Sequence, residues 1–359
     1  MKWMDQLADT ARRLQAGLGL PDMMPLVTPS SPRRSAKPSG RTARRSDVPD
    51  GTDGPALRRV RFERNNPGKL GLLLYKSARL EARPPLVLLL HGCRQDAATF
   101  ARESGWLARI ERAGGILAVP EQRRENNHSQ CFNWFDVDGP AGRAELASLG
   151  HIVDGLRARH DCDPDRTCVV GLSAGGAMAA ALMAAAPDRI AAGAVVAGLP
   201  VGVAHSAGEA LHKMVAPAAS MSDAQWDSRA RALAPAGYVG RWPRLSVWHG
   251  TADQVVNDEN AALLVQQWCA LQGLAGPPVK SASVCDGRVR YEAWSSDGAD
   301  TVVERWALSG VDHAYPIGPD GRPGRWVAPT AIDATAEIAA FFALGGGQAP
   351  SDRPRAAGG

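Results

Sequence analysis

The chain has 359 residues, of which 45% are hydrophobic, and this is enough to bury a large core. Its formal net charge of +4 is local, because residues 30–46 hold six basic side chains and no acidic ones, which leaves 35 basic against 37 acidic side chains elsewhere. The total charge therefore does not indicate an acidic partner for the folded body, and no stretch approaches the roughly 18 consecutive apolar residues of a membrane span.

Residues 1–57 are predicted to precede the folded domain. Residues 3–18 place apolar side chains at helical intervals, which predicts an amphipathic helix. It either docks on its own domain or, through residues 1–20, contacts a hydrophobic granule or membrane surface. Residues 28–55 are rich in Pro, Ser, Gly and Arg and predict a disordered basic linker. They lack interleaved aromatic residues, so we expect no nucleic-acid binding.

The first ten residues include Asp5 and Asp9 where a secretory signal needs an apolar core. We therefore see no secretory signal, and the sequence predicts a cytoplasmic protein.

Residues 58–345 alternate between strand and helix patterns. An antiparallel hairpin is predicted to open the domain, over residues 59–64 and 70–75. Further strands are predicted at 86–90, 116–119, 168–170, 193–196, 245–249, 289–294 and 302–308, and helices at 100–113, 148–159, 177–186, 259–271 and 331–344. This alternation predicts an α/β fold whose mostly parallel central sheet carries helices on both faces. Residues 200–242 break the pattern and predict a small cap insertion, and residues 346–359 predict a disordered tail.

The segment Gly171-Leu-Ser-Ala-Gly175 has the G-x-S-x-G pattern of a nucleophile elbow. An apolar strand precedes it and a helix of small residues follows, so Ser173 is predicted to project from the carboxyl edge of the sheet. Ser206 has a similar neighbourhood but lacks the first glycine and the preceding strand. We therefore identify Ser173, not Ser206, as the candidate nucleophile.

A serine hydroxyl needs an imidazole to take its proton and a carboxylate to orient that imidazole. In folds of this kind the chain order is Ser, acid, His, each in a loop after a strand. Asp253 and His313 meet this requirement. The alternative acids are Asp258, expected to begin the next helix, and Asp312, expected to point away from His313. Among the other histidines, His249 and His91 end strands and are interpreted as imidazoles that cap turns.

The oxyanion of an acyl-transfer intermediate requires two backbone N–H donors. Ala174, which follows the serine, is predicted to supply one, and Cys93, after the 86–90 strand, the other. Cys93 as a thiol nucleophile is disfavoured because no partner base or helix N-terminus is evident. Trp134 and Trp326 fall in loops and are predicted to contact substrate. No cluster of His, Asp or Glu and no C-x-x-C pair indicates a metal, and we expect no cofactor.

Several segments together resemble the polyhydroxybutyrate (PHB) depolymerase family of esterases, relatives of feruloyl and acetylxylan esterases. They are Leu90-His-Gly-Cys-Arg-Gln-Asp96, Pro120-Glu-Gln122, Cys131-Phe-Asn-Trp-Phe135, Gly171-Leu-Ser-Ala-Gly-Gly-Ala-Met178, His249-Gly-Thr-Ala-Asp253 and Gly310-Val-Asp-His-Ala314. The resemblance implies an α/β-hydrolase fold with Ser173, Asp253 and His313 as the triad. It also suggests a disulfide between Cys93 and Cys131.

The resemblance implies a serine esterase that acts through an acyl-enzyme on 3-hydroxyalkanoate esters. Family members that erode solid polymer carry a separate binding module, for which this chain has no stretch left over, so we expect oligomeric, short-chain or amorphous polyester as substrate. The alternatives are a feruloyl or acetylxylan esterase and a non-catalytic surface-binding protein. Family members are often secreted, which makes an extracellular location the alternative to the cytoplasm.

Overall fold

The computed structural model describes residues 56–61, 65–218, 221–295 and 301–345. The chain divides after Asp53, and every described residue belongs to the unit Gly54–Gly359. The predicted N-terminal helix, the basic linker over residues 28–55 and the C-terminal tail lie outside the described residues, as does part of the first predicted strand.

Among the described residues, ten strands form the main sheet, and two more form a small separate one. Their bounds are β1 (Arg58–Arg59), β2 (Gly71–Lys76), β3 (Leu86–Leu90), β4 (Ile116–Glu121), β5 (Thr167–Leu172), β6 (Ala192–Val196), β7 (Arg244–Gly250), β8 (Lys280–Val284), β9 (Val289–Trp294), β10 (Val303–Leu308), β11 (Tyr315–Ile317) and β12 (Val327–Pro329). The order in the main sheet is β1-β2-β4-β3-β5-β6-β7-β10-β9-β8. The run from β4 to β10 is parallel, and the strands at both ends are antiparallel, so the predicted mostly parallel sheet is confirmed.

The described residues form eight α-helices and two short 3₁₀ turns. The helices are α1 (Ala97–Glu103), α2 (Trp106–Arg112), α3 (Pro140–His160), α4 (Ala174–Ala185), α5 (Ala207–Val215), α6 (Asp223–Arg231), α7 (Glu259–Gln272) and α8 (Ala334–Phe341). None of them is both long enough and apolar enough to cross a membrane.

Helices cover both faces of the sheet, which explains why the central strands are apolar at every position. In β3, Leu86, Leu88 and Leu90 pack into one hydrophobic cluster, and Val87 and Leu89 pack into another. Successive side chains of a strand point to opposite faces, so a strand covered on both faces must be apolar throughout. The predicted α/β arrangement with helices on both faces is therefore confirmed.

Three predicted element bounds are wrong. The single helix predicted over residues 100–113 is two helices, α1 and α2, because Gly105 between them has a φ of 78°. Strand β4 continues through Pro120, which pairs with Leu72 of the neighbouring antiparallel strand. Helix α3 begins at Pro140 rather than at residue 148, and a proline at the first helical position needs no hydrogen-bond partner.

The segment predicted as a cap contains helices α5 and α6. Buried Trp226 anchors α6, which packs against α7. The end of α5 is tied to the loop after β7 and to the start of α7, since Asn257 N donates to Met214 O at 2.7 Å and Asn260 Nδ2 donates to Lys213 O at 3.1 Å. The described part of the insertion therefore meets the loops at the carboxyl edge of the sheet.

Candidate active site

Ser173 occupies a sharp turn between β5 and α4. Its backbone dihedrals, φ 55° and ψ −121°, are unusual for a residue with a side chain, and such conformations cost about 1–3 kcal/mol. The Ser173 N–H donates to Val196 O at 2.8 Å, which holds the turn in place. A Cβ on Gly171 would collide with the Gly175 carbonyl, and one on Gly175 with the Leu90 carbonyl. The G-x-S-x-G glycines are thus required by close backbone approach.

Asp253 and His313 meet in the loops that follow β7 and β10. His313 Nδ1 lies 2.7 Å from Asp253 Oδ2, and the Asp253 side chain is 0% exposed. The two loops are joined directly, because Thr251 N donates to Leu308 O at 2.9 Å and Ala252 N donates to Val311 O at 3.0 Å. Since these strands are adjacent and parallel, their carboxyl ends bring the two side chains together.

The Asp253 carboxylate accepts hydrogen bonds on both oxygens. Its Oδ1 accepts from Val255 N at 2.9 Å and from Val256 N at 2.8 Å. Burial acts to raise the pKa of Asp253, but hydrogen bonds from His249 and His313 oppose it and hold the pKa well below its usual range. An ionised Asp253 makes His313 Nδ1 the donor, so Nε2 of His313 is the free base.

Asp258 and Asp312 take the positions expected of them. Asp258 is the N-cap residue of α7, and Asp312 Oδ1 accepts from the backbone N–H of His313 at 2.7 Å and of Gln254 at 3.3 Å. Neither carboxylate contacts the His313 imidazole.

A chain of contacts connects Ser173 to the His313 side of the site. Gly92 lies against the Ser173 side chain, since a Cβ on Gly92 would be 3.5 Å from Ser173 Cβ. Gln95 joins the two sides, because its Oε1 accepts from Gly92 N at 2.7 Å and its Nε2 donates to Arg325 O at 3.1 Å. The next residue, Trp326, packs edge-to-face on His313 with ring centroids 5.7 Å apart.

Within the described ranges the Ser173 hydroxyl makes no hydrogen bond, and hydrogen bonds of this kind often tighten only with substrate bound. A role of Ser173, Asp253 and His313 as a working triad therefore stays a prediction, which the arrangement supports.

The predicted oxyanion donors, Cys93 and Ala174, both have backbone N–H groups without an acceptor among the described residues. The amides on either side of Cys93 are both paired, since Gly92 N donates to Gln95 Oε1 at 2.7 Å and Arg94 N donates to Ser129 O at 2.9 Å. Ala174 is the first residue of α4, where amide groups are unpaired and the helix end favours negative charge. Both assignments remain predictions.

A disulfide joins Cys93 to Cys131, which confirms the pairing that the resemblance suggests. It connects the loop that carries the predicted oxyanion donor to the segment before Trp134. The other four cysteines, Cys162, Cys168, Cys269 and Cys285, are free thiols.

The sequence analysis missed a buried polar network behind this segment. Glu145 Oε1 lies 2.5 Å from both Gln122 Nε2 and Asn133 Nδ2, and its Oε2 accepts from Asn133 N at 2.8 Å. Burial raises the pKa of Glu145 to about 7, although these three donors act to lower it. Glu145 lies on the same face of α3 as Leu149 and Ile152. A carboxylate on an otherwise apolar helix face was the sequence signal that could have revealed this network.

The same network fixes His91 at the end of β3. Gln122 N donates to His91 Nε2 at 3.1 Å, so the His91 Nδ1–H faces Gly92 O at 2.7 Å. Burial lowers the pKa of His91, which keeps the imidazole neutral. His91 is therefore held as a structural residue, as its strand-end position predicts.

The two predicted substrate-binding tryptophans differ in exposure. Trp134 is 7% exposed and packs in the core beside Phe135, with ring centroids 5.9 Å apart. Trp326 is half-buried, has a φ of 65°, and forms one wall of the site beside His313. Substrate contact by either residue stays a prediction. The described residues contain no group of three or more His, Cys, Asp or Glu side chains that could hold a metal ion.

Comparison with known proteins finds a matching family and similar esterases. Residues 69–287 match the family described as Esterase PHB depolymerase. The chain is 33% identical over 296 residues to poly(3-hydroxyalkanoate) depolymerase C of Paucimonas lemoignei, which covers 80% of this chain and 70% of that protein. It is 26% identical to feruloyl esterase B of Talaromyces funiculosus, over 70% of this chain and 71% of that protein.

One solved structure shows the same fold. Acetyl xylan esterase from Aspergillus awamori superposes with a TM-score of 0.68 at 19% sequence identity, covering 80% of this chain and 99% of that one. The fold is that of the α/β-hydrolase esterases.

We predict that opening the Cys93–Cys131 disulfide lowers kcat. Cys131→Ser releases the loop that aims the Cys93 N–H, and misplacing one oxyanion donor reduces kcat by about 10- to 100-fold. Ester hydrolysis by the purified variant measures the effect, and Cys285→Ser, which removes a free thiol elsewhere, is the control. Thiol titration of the unfolded, unreduced wild type should find the four free thiols. A folded Cys131→Ser variant with wild-type kcat would show that the disulfide does not position the donor.

Proposed function

Because the chain belongs to the PHB depolymerase family of esterases, we propose that Ser173, His313 and Asp253 are the triad through which it hydrolyses carboxylic esters. The chain is a carboxylic ester hydrolase, so the alternative of a non-catalytic surface-binding protein is not retained. The observation that carries the triad assignment is the buried Asp253–His313 pair, at 2.7 Å, on the same sheet edge as the strained Ser173 turn.

In the proposed reaction, His313 Nε2 takes the proton of the Ser173 hydroxyl as Oγ attacks the ester carbonyl carbon. The carbonyl oxygen becomes an oxyanion, which the N–H groups of Cys93 and Ala174 stabilise. The ester C–O bond then breaks, and the His313 imidazolium returns its proton to the departing alkoxide. Water attacks the acyl-enzyme by the same route, releasing the acid and restoring Ser173. The Asp253 carboxylate stays ionised throughout and stabilises the imidazolium.

We propose 3-hydroxyalkanoate esters as the substrate class, as oligomers or as short-chain or amorphous polyester. The relative named as a poly(3-hydroxyalkanoate) depolymerase supports this choice, because it is 33% identical over 80% of this chain, against 26% for the feruloyl esterase. Feruloyl or acetylxylan esterase activity is the second candidate, supported by the relatives with those names.

For the compartment, we propose the extracellular alternative rather than the cytoplasm. The disulfide between Cys93 and Cys131 supports it, since disulfides persist in oxidising environments and are rare in the reducing cytosol.

We predict that Ser173→Ala lowers p-nitrophenyl butyrate hydrolysis by at least about 10³-fold, because no other group can carry the acyl chain. Ser206→Ala, at the similar but rejected serine, is the matched control and should keep wild-type activity. Substantial hydrolysis by the Ser173→Ala variant would refute the nucleophile assignment. With the wild type, release of 3-hydroxybutyrate from amorphous polyhydroxybutyrate supports the first substrate class, whereas release of ferulate from methyl ferulate alone supports the second.

We also propose that residues 1–20 contact a hydrophobic granule surface, as their amphipathic pattern suggests. Leu14→Asp, on the apolar side of this segment, should reduce co-sedimentation of the full chain with amorphous polyhydroxybutyrate granules by severalfold. Arg12→Gln, on the polar side, should not. Both variants should hydrolyse soluble p-nitrophenyl butyrate normally. Equal sedimentation of the two variants would contradict granule contact through this face.

A further inference from the structure

The Asp253 carboxylate faces two imidazoles, although a triad uses only one. His313 Nδ1 lies 2.7 Å from Asp253 Oδ2, and His249 Nε2 lies 3.1 Å from the same oxygen. The His249 side chain is 1% exposed and that of Asp253 is 0% exposed, so water does not separate them. His249 is therefore in direct contact with the proposed triad acid.

The neighbours of His249 determine which of its nitrogens carries the proton. Its Nε2 also lies 2.9 Å from Val256 O, and a backbone carbonyl can only accept a hydrogen bond. Nε2 must therefore carry the hydrogen, which faces Val256 O, and the same nitrogen lies 3.1 Å from Asp253 Oδ2. The other nitrogen, Nδ1, is buried and has no hydrogen-bond partner among the described residues, so a proton there would be an unsatisfied buried donor. His249 thus donates through Nε2.

This position lets His249 brace the loop that carries Asp253. His249 belongs to β7, which is paired on both sides within the sheet, whereas Asp253 and Val256 lie in the loop beyond the strand end. The Nε2–H of His249 faces both Asp253 Oδ2 and Val256 O, which lie at the two ends of that turn. The Asp253 carboxylate is consequently fixed by two backbone amides on Oδ1 and two imidazoles on Oδ2.

We propose that His249 is a positioning residue for the reaction, a role that rests on the proposed triad. It fixes Asp253 Oδ2 within hydrogen-bond distance of His313 Nδ1 and, by donating to the same oxygen, limits the negative charge that Asp253 presents to His313. The titratable groups around this oxygen are His249 from β7 and His313 from the loop after β10. Asp312, the carboxylate next to His313 in the sequence, accepts only from backbone N–H groups among the described residues.

The test compares His249→Met with His249→Gln. The two side chains have similar length and shape, but only glutamine places an N–H donor near the position of Nε2. We expect His249→Met to lower kcat about 10-fold. With one donor fewer on its Oδ2, Asp253 presents more negative charge to the His313 imidazolium and stabilises it more strongly. The acidic limb of the kcat/KM profile should then move to higher pH by about half a unit to one unit.

His249→Gln should restore both the acidic limb and most of kcat. The same change to methionine at exposed His205 is the control and should leave the profile unchanged. A purely space-filling role would predict that the Met and Gln variants have the same kcat and the same acidic limb, and that result would overturn the proposal. Its failure is distinct from that of the proposed function, because the Ser173→Ala variant would still be inactive.

A second measurement does not depend on how well the variants fold. In wild-type protein with ¹⁵N-labelled histidine, NMR should show that His249 carries its hydrogen on Nε2. A His249 protonated at Nδ1 and not at Nε2 would contradict the proposed donation to Asp253.

Discussion

The site depends on a carboxylate that is shielded from water and yet stays charged. An unpartnered carboxylate in this position would take up a proton, because burial penalises its ionised form. Four donors prevent this at Asp253: the amides of Val255 and Val256 and the imidazoles of His249 and His313. The charge in turn sets the tautomer of His313 and, in the proposed triad, leaves its Nε2 free to act on Ser173. These donors come together because they lie at or just beyond the carboxyl ends of the adjacent parallel strands β7 and β10.

On the Cys93 side of the site, a disulfide and several hydrogen bonds hold the backbone in place. The disulfide connects Cys93 to the segment that begins at Cys131, and Glu145 holds the far end of that segment through Asn133. Gln95 connects the same loop to the residue before Trp326. An oxyanion hole made of backbone N–H groups works only if those groups are already aimed at the developing charge. These links provide that rigidity around a loop without regular secondary structure.

The sequence predicted the sheet well where local composition decides the structure. Strand β3 was evident because both of its faces are buried, and the Ser173 turn because its glycines are required by backbone contact. The break at Gly105 was missed, since Phe100, Leu107 and Ile110 keep helical spacing across it. Gln95 and Arg325 are 230 positions apart, and no local pattern reports such a contact. His249 and Asp253 are only four residues apart, but their meeting depends on how the loop folds back over β7.

The most direct test of this account is the rate at which a fluorophosphonate, which reacts with activated serines, labels the protein in wild type and in Asp253→Asn. Peptide mass spectrometry should find one adduct per chain, on Ser173. Asparagine keeps the shape of the acid but cannot hold His313 in the tautomer with Nδ1–H, so labelling should slow by roughly 10³- to 10⁴-fold. Equal labelling rates in the two proteins, or an adduct on a residue other than Ser173, would contradict the claim that the buried Asp253 charge activates the serine through His313.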